Sequence, residues 1–408
     1  MEDRRPDVPT GPVAAVAPAS LARGGSLVAP ALTLVNVVGY AVTVAAARVL
    51  DKPGYGELNA YLGALLVLSV PALALQAVVA RSVARRPPGE TAGPRERALV
   101  VRSAVVGLAV SAAGVAVAPL LGAFLHTSVA GPLWVAVQLA PFAVLSAAMG
   151  VLQGAERFPA LAAVISAQAA GKLLGLVPLL LGGGPAEVLA ALGAGTVVAM
   201  AAGLVLVGRG APGAPPRALP TLHDVVVAAS GLLALLVLAN LDVLLARNVL
   251  TGDESGRYSA GAVLAKAAFW LPQAVAVVVF PRLSDPEGGT ALLRRAVLVV
   301  AGLGGLEVAG CLVLARPVLE LTFGRSYGSL SGIAPLWVLQ GAALSVVQLL
   351  VYRAVATRDP VPSRIVGAAA VVETALVLAV SPSTPGPLVA LAAGVAVLLV
   401  TGLLLRRR

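Results

Sequence analysis

Charged residues are scarce in this sequence of 408 residues. Asp, Glu, Lys and Arg make up 12% of the chain, whereas 59% of it is hydrophobic. A soluble domain has about twice that share of charge, so the composition excludes an ordinary soluble protein. It predicts an all-α polytopic membrane protein, because a bilayer core about 30 Å thick needs apolar runs of about 20 residues. The single cysteine, Cys311, excludes an internal disulfide framework.

Histidine and long connectors are also scarce, which bears on catalysis. The only histidines, His126 and His223, fall at predicted helix ends on opposite sides of the membrane, and the sequence shows no metal-ligand cluster. No predicted outer loop is large enough to fold over a substrate, as a polytopic glycosyltransferase or polymerase would require. We therefore expect no enzyme, no resident metal and no cofactor.

The positive charge is spread along the chain. The net charge is +10, but Lys and Arg follow the connectors instead of clustering on one face, so we expect no nucleic-acid partner. Hydropathy predicts twelve spans, at 25–48, 57–80, 99–124, 131–152, 158–182, 187–208, 223–247, 258–281, 291–315, 330–353, 363–381 and 386–405. The connectors on one side hold most of the Lys and Arg, so the positive-inside rule places both termini in the cytoplasm.

The spans divide into two halves of six. We expect a disordered cytoplasmic tail at 1–22, an N-terminal lobe at 23–208, a cytoplasmic linker at 209–222 and a C-terminal lobe at 223–408. A shift of about 200 residues aligns the two halves and pairs Gly56 with Gly256. Two parallel repeats are typical of transporters whose halves rock about a central site.

Five ionisable residues stand inside predicted spans: Lys172, Asp242, Lys266, Glu307 and Glu373. Each costs about 2.5 to 3.5 kcal/mol at the centre of a membrane helix, so they are expected to face the protein interior. Asp242 and Lys266 lie at similar depths on consecutive spans, where an ion pair is possible. Function is favoured for these two, whereas Glu307 is equally compatible with a tight helix contact.

Polar and aromatic residues at helical spacing accompany these charges. Tyr258, Trp270 and Gln273 share a stripe with Lys266 on the eighth span, and Asn36 and Tyr40 share one on the first. Such stripes are typical of a cavity-facing side, although Asn36 by itself is more simply a hydrogen-bonding contact between helices. We interpret Arg48 and Arg247, near helix ends, as snorkelling anchors. We expect none of the candidate residues to bind a metal.

Two pairs of consecutive predicted spans, the first with the second and the seventh with the eighth, resemble a known family. Asp242 in an apolar span, Gly256, Tyr258 and Ser259 after a short loop, and the later Phe280–Leu283 resemble the seventh and eighth helices of polysaccharide flippases in the MOP exporter superfamily, relatives of the MATE exporters. Tyr55–Gly56 in the first hairpin is similar to the opening of the same family. Twelve spans in two lobes, with spans one and two facing spans seven and eight, is the architecture that the resemblance implies.

The resemblance also implies a function. It implies a flippase in a bacterial plasma membrane that moves lipid-linked oligosaccharides or polysaccharide precursors by alternating access. Lys266 and Lys172 would bind the prenyl-phosphate-linked headgroup, with Tyr258, Trp270, Gln273, Asn36 and Tyr40 around it. Asp242, Glu307 and Glu373 would couple transport to H+ or Na+ or balance charge, and membrane lipid, a glycan polymerase or glycosyltransferases would be partners. Two alternatives remain: a cation-coupled small-molecule exporter, or a non-transporting partner of a glycan synthase.

Overall fold

The computed structural model describes residues 18–84, 94–208, 222–270, 289–357 and 359–406, and these form helices and turns with no strand. The α-helices, in chain order α1 to α14, are Pro18–Val49, Lys52–Leu68, Val70–Ala84, Pro94–Leu125, Ala130–Gly154, Phe158–Lys172, Leu176–Leu180, Pro185–Gly208, Leu222–Val249, Gly252–Trp270, Gly289–Phe323, Ala334–Ala356, Val361–Val380 and Pro385–Leu405. Two 3-10 segments occupy Leu173–Gly175 and Arg325–Gly332. The predicted all-α class is confirmed.

Ten segments of the described residues are long and apolar enough to cross a membrane. They coincide with ten of the twelve predicted spans. The two other predicted spans, 223–247 and 258–281, coincide with α9 and with α10, and the second of these runs on into residues 271–288, outside the described part. The helices thus match the predicted arrangement, while the count of twelve stays a prediction.

The first helix begins earlier than expected. Helix α1 begins at Pro18, so the end of the predicted tail at 1–22 is helical. Residues 1–17 of the tail, and 209–221 of the predicted linker, lie outside the described residues.

Two of the membrane segments are interrupted. The second segment breaks at Ser69, between α2 and α3, where Pro71 enters the first turn of α3 and has no N–H to continue the α2 ladder. The fifth changes at Lys172 from α-helix to the 3-10 segment, and α7 follows. Lys172 therefore lies where its helix changes geometry.

The helices pack as two bundles, α1 to α8 (the N-terminal bundle) and α9 to α14 (the C-terminal bundle). One apolar core belongs to the N-terminal bundle, with Leu236 of α9 packed at its edge. A second core lies within the C-terminal bundle. A third core joins both bundles around Tyr55 and Tyr258. It lies at the end that carries the turns at Asp51 and Thr251, which we call the hairpin end. The bundles share a core at the hairpin end and have separate cores at the opposite end.

The sidedness of the two ends stays a prediction. In a Cys311→Ser background, Ser128→Cys and Ser383→Cys, both exposed at the hairpin end, should react with a membrane-impermeant maleimide applied to intact cells. Thr357→Cys, exposed at the opposite end, should react only after permeabilisation. The reverse pattern would place the termini outside and overturn the positive-inside assignment.

Candidate functional site

The centre of the C-terminal bundle holds the carboxylate of Asp242, which is 2% exposed. Its Oδ2 accepts a hydrogen bond from the Tyr258 hydroxyl at 2.9 Å and another from the Gln340 amide at 3.1 Å. These partners stand on α10 and α12, so three helices meet at one carboxylate oxygen. Burial of an ionisable group at this depth is costly unless it is paired or functional.

Several polar atoms around Asp242 have no hydrogen-bond partner among the described residues. They are Oδ1 of Asp242, Oε1 of Gln340, Oε1 of Glu373 and Nε1 of Trp337. A buried polar atom without a partner costs about 1 to 3 kcal/mol. Three of the four are oxygens, so the site has unused capacity to accept a proton or a hydrogen bond.

Glu373 and Lys266 complete the electrostatics of this cluster. Glu373, on α13 and 1% exposed, interacts electrostatically with Asp242 and Tyr258. Lys266, on α10 and half-buried, lines a cavity of about 10 Å³ together with Asp242 and Gln340, a volume that suits about one water molecule. Lys266 and Asp242 interact electrostatically, but they form no ion pair within 4.0 Å. We call Asp242, Tyr258, Lys266, Gln340 and Glu373 the acidic cluster.

The acidic cluster lies within one bundle. As the sequence predicted, Asp242 faces the protein interior, and both of its hydrogen-bond partners belong to the C-terminal bundle. The face of α9 that packs on the N-terminal bundle carries Asn240, against Gly63 of α2. The site can therefore change charge without direct contact with the other bundle.

The other candidate residues of the eighth span lie in different surroundings. Tyr258 is fully buried, and its ring meets Trp337 edge-on at 5.5 Å. Trp270 ends α10, meets Phe269 edge-on at 4.9 Å, and packs against the core of the C-terminal bundle. Gln273 lies outside the described residues. Tyr258 thus supports Asp242 in this conformation and is closed to a large ligand.

The N-terminal bundle holds a separate cation. The Lys172 ammonium donates a hydrogen bond to the Val35 carbonyl of α1 at 3.2 Å and lies against Gly39. Asn36, which is exposed, and Tyr40, which is half-buried, stand on the same stretch of α1. The structure therefore brings three of the predicted binding residues, Lys172, Asn36 and Tyr40, to one part of the N-terminal bundle.

Glu307 stands apart from both groups. It is the central residue of the apolar segment Ala291–Phe323, and neither carboxylate oxygen has a partner among the described residues. It lines an apolar groove of about 250 Å³ with residues of α10, α11 and α12. Leu264 and Ala268 line that groove, while Lys266 lines the cavity on the other side of α10. Glu307 is thus no part of the acidic cluster.

The hairpin end is closed by polar contacts between the bundles. Glu57 of α2 accepts a hydrogen bond from Tyr61 at 2.5 Å and forms an ion pair with Arg247 of α9 at 3.6 Å. Arg48 donates to the carbonyls of Thr322, at 3.0 Å, and Leu321 at the end of α11. Arg48, which is exposed, and Arg247 each also contact the opposite bundle, and their interpretation as anchors stays a prediction.

Glycines allow the backbones to approach at this end. A Cβ built on Gly56 would lie 2.8 Å from the backbone nitrogen of Gly256, and one on Gly256 would collide with the Lys52 carbonyl. A Cβ on Gly252 would lie 2.9 Å from that of Pro53. Only a residue without a side chain fits at such separations, so α2 and α10 meet backbone to backbone. Contacts from span two to spans seven and eight follow the architecture that the resemblance implied.

Sequence reasoning missed Gln340, Trp337 and Glu57. Gln340 and Trp337 lie on one face of the predicted tenth span, and the rule for polar residues inside spans would have selected Gln340. Glu57 begins a predicted span and looked like an ordinary end residue. Its partner is 190 residues away along the chain, since Arg247 and Glu57 meet only in the fold.

Comparison with known proteins supports the fold. No protein-family model and no curated protein sequence matches the chain. A multidrug resistance MATE family transporter of the MOP superfamily in an inward-facing conformation aligns with a TM-score of 0.71 at 12% identity, over 91% of this chain and 94% of that chain. The lipid II flippase MurJ in an inward closed conformation aligns with a TM-score of 0.71 at 12% identity, over 93% and 87%.

A third solved structure bears on polarity. It is a MOP superfamily transporter from Pyrococcus furiosus, described as having a binding pocket of reverse polarity that suggests a different function. It aligns with a TM-score of 0.62 at 13% identity, over 95% of this chain and 93% of that chain. The three similarities confirm the MATE-like fold that the sequence predicted.

Proposed function

We propose that the chain is a flippase that moves lipid-linked oligosaccharides or polysaccharide precursors across a bacterial plasma membrane by alternating access. The observation that carries the proposal is the polarity of the N-terminal bundle, where the charge inside the membrane is Lys172. Its one hydrogen bond among the described residues goes to a backbone carbonyl, and it has no carboxylate partner there. An ammonium with this environment suits an anionic ligand, such as the phosphate of a prenyl-linked glycan.

The acids of the N-terminal bundle support this reading. Those in the described residues lie in turns or in the first two turns of helices, and they are Asp51, Glu57, Glu96, Glu156 and Glu187. An organic cation bound at this position would be repelled by the Lys172 ammonium. The MOP transporter of reverse pocket polarity shows that this fold accommodates a changed charge.

The packing supports a direction of access. If both termini are cytoplasmic, the hairpin end is the outer end, and its shared core and the Glu57–Arg247 ion pair close the path to the outside. The apolar cores are separate at the opposite end, where α3 still packs against α9, so opening on the cytoplasmic side would separate these two helices. Both transporters with a TM-score of 0.71 were also solved in inward conformations.

The acidic cluster is proposed to couple transport to a cation. Two carboxylates, Asp242 and Glu373, share their surroundings with one ammonium, Lys266, so ionisation of all three groups would leave one negative charge in excess in a medium of low dielectric. Binding of H+ or Na+ would neutralise that charge, and its release would restore it. Lys266, half-buried at the edge of the cluster, would be the second cation available to the headgroup when Asp242 is neutralised.

Translocation by the purified protein tests the proposal. In liposomes that carry a prenyl-diphosphate-linked oligosaccharide, Lys172→Gln should lower the rate at least about tenfold, because a charge-assisted contact to the phosphate is lost. Lys172→Arg should keep part of the rate, since the charge survives with a different geometry. Arg316→Gln, which removes an exposed cation paired with Glu320, is the matched control and should leave the rate unchanged.

The same vesicles separate the alternatives. Movement of tetraphenylphosphonium with no movement of the glycan would favour the small-molecule exporter. Failure to move either cargo, with the protein folded and inserted, would favour a partner of a glycan synthase. An unchanged glycan rate in Lys172→Gln would remove the N-terminal bundle cation from the binding site.

A further inference from the structure

A polar pocket of about 460 Å³ lies at the hairpin end, at the junction of the two bundles. The N-terminal bundle contributes Arg48, Asp51 and Lys52 from the turn between α1 and α2. The C-terminal bundle contributes the end of α11 and the 3-10 segment that follows it, with Glu320 and Arg325. The pocket is distinct from the acidic cluster and from Lys172, because it shares no lining residue with either.

The acids of the pocket are already engaged. Asp51 caps α2, where its Oδ1 accepts a hydrogen bond from the Gly54 N–H at 2.9 Å. Glu320 is paired with Arg316 at 2.8 Å. Tyr327 of the 3-10 segment also lines the pocket, and its pKa is raised by burial and by the nearby charges of Asp253 and Asp51. None of these carboxylates forms an ion pair with a lining cation.

The cations are less engaged. Arg48 donates to the carbonyls of Thr322 and Leu321, which are the free carbonyls of the last turn of α11. Lys52 and Arg325 form no hydrogen bond or ion pair within the described part of the chain. Two uncommitted cations, one from each bundle, therefore line a single pocket.

We propose that this pocket binds a phosphoryl group, with Lys52 and Arg325 as its ligands from the two bundles. Arginine and lysine are the side chains that recognise phosphate oxygens most strongly, and the pocket is large enough for a phosphate with part of the group that bears it. The phosphoryl group belongs either to an anionic lipid headgroup in the adjacent leaflet or to the cargo as it leaves. Binding of a lipid phosphate does not depend on which cargo the protein moves, whereas binding of a cargo phosphate rests on the proposed function.

Occupancy has a mechanical consequence. A ligand held by Lys52 and Arg325 bridges the bundles where Arg48 already joins them, so it favours the closed hairpin end over a state in which the bundles part there. An anionic lipid at this position would therefore slow opening, and a departing cargo phosphate would displace it. Binding of the phosphoryl group is tested with the purified full chain.

Binding of three soluble probes tests the inference. Inorganic phosphate, dioctanoyl phosphatidylglycerol and dioctanoyl phosphatidylcholine are titrated by calorimetry against the protein in a neutral detergent. We expect saturable binding of phosphatidylglycerol and competition by inorganic phosphate. In the double variant that combines Lys52→Gln and Arg325→Gln, the Kd for phosphatidylglycerol should rise about tenfold or more, because two charge-assisted contacts are lost. Lys52→Arg with Arg325→Lys keeps both charges and should retain most of the affinity.

Controls separate this site from general attraction of anions. Arg406→Gln removes one exposed cation at the opposite end of the protein, where it is paired with Asp359, and should leave the Kd within about twofold. Competition by phosphate identifies the phosphoryl group as the ligand, and stronger competition by a soluble prenyl diphosphate would favour the cargo as its source. Equal affinity for phosphatidylglycerol in the double variant would overturn the proposal, and equal binding of phosphatidylcholine would overturn its assignment to an anionic headgroup.

Discussion

Translocation is expected to fall to background when Pro53→Cys and Gly252→Cys are oxidised to a disulfide, and to return on reduction. The pair joins α2 to α10 across the hairpin end, where a Cβ on Gly252 lies 2.9 Å from the Pro53 Cβ. Disulfides need about 3.5 to 4.5 Å between Cβ atoms, so a shift of under about 1 Å suffices. If the bundles part here in every cycle, a covalent bond holds the protein in one state.

A matched pair within one bundle controls for the chemistry. Pro178→Cys with Gly183→Cys replaces the same residue types, with a Cβ separation of 3.0 Å, but both positions belong to the N-terminal bundle. It should form the disulfide and leave translocation unchanged in a Cys311→Ser background. Efficient formation of the disulfide between bundles with full translocation would mean that α2 and α10 stay together throughout transport.

Asp242→Asn is expected to uncouple transport from the cation gradient. Asparagine has nearly the same shape, and its carbonyl oxygen still accepts the hydrogen bonds from Tyr258 and Gln340, so the fold should persist. The variant lacks the negative charge that we propose binds the cation, so the rate in a gradient should fall about tenfold or more, to the rate without a gradient. The measurement compares glycan translocation under imposed H+ and Na+ gradients, applied separately, which also identifies the ion.

Three further variants make this result specific. Glu373→Gln should uncouple in the same way, because Glu373 shares the cluster with Asp242. Glu307→Gln is the matched control, since it removes a buried carboxylate that faces the separate groove. Uncoupling by Glu307→Gln alone would move the coupling site to that groove. Full coupled transport in the exchange of Asp242→Lys with Lys266→Asp would show a structural charge pair, and the coupling site would lie elsewhere.

The fold could be predicted largely from apolar runs, because the bilayer fixes both their length and their orientation. Asp242, Lys266 and Glu373 could be selected because a charge inside an apolar span has few explanations. Their partners could not be predicted. Nearly every face of these helices is apolar, so periodicity does not reveal which face of α9 meets α12 and which meets α2. For the same reason, the sequence did not indicate which helix faces bring Glu57 and Arg247 together.

The close approach of Gly56 and Gly256 has a consequence for how the chain tolerates variation. The two positions correspond in the half-chain alignment, and they lie next to each other where the bundles meet. The contact is similar to an isologous interface, in which a residue near a two-fold axis faces its own equivalent, except that Gly256 lies nearest to Lys52. In a homodimer one substitution there would add two side chains at once. In this single chain, Gly56 and Gly256 are separate positions, and a substitution at one adds one side chain. A side chain at one glycine thus has room only if the opposite backbone recedes, so the two positions are constrained as one unit.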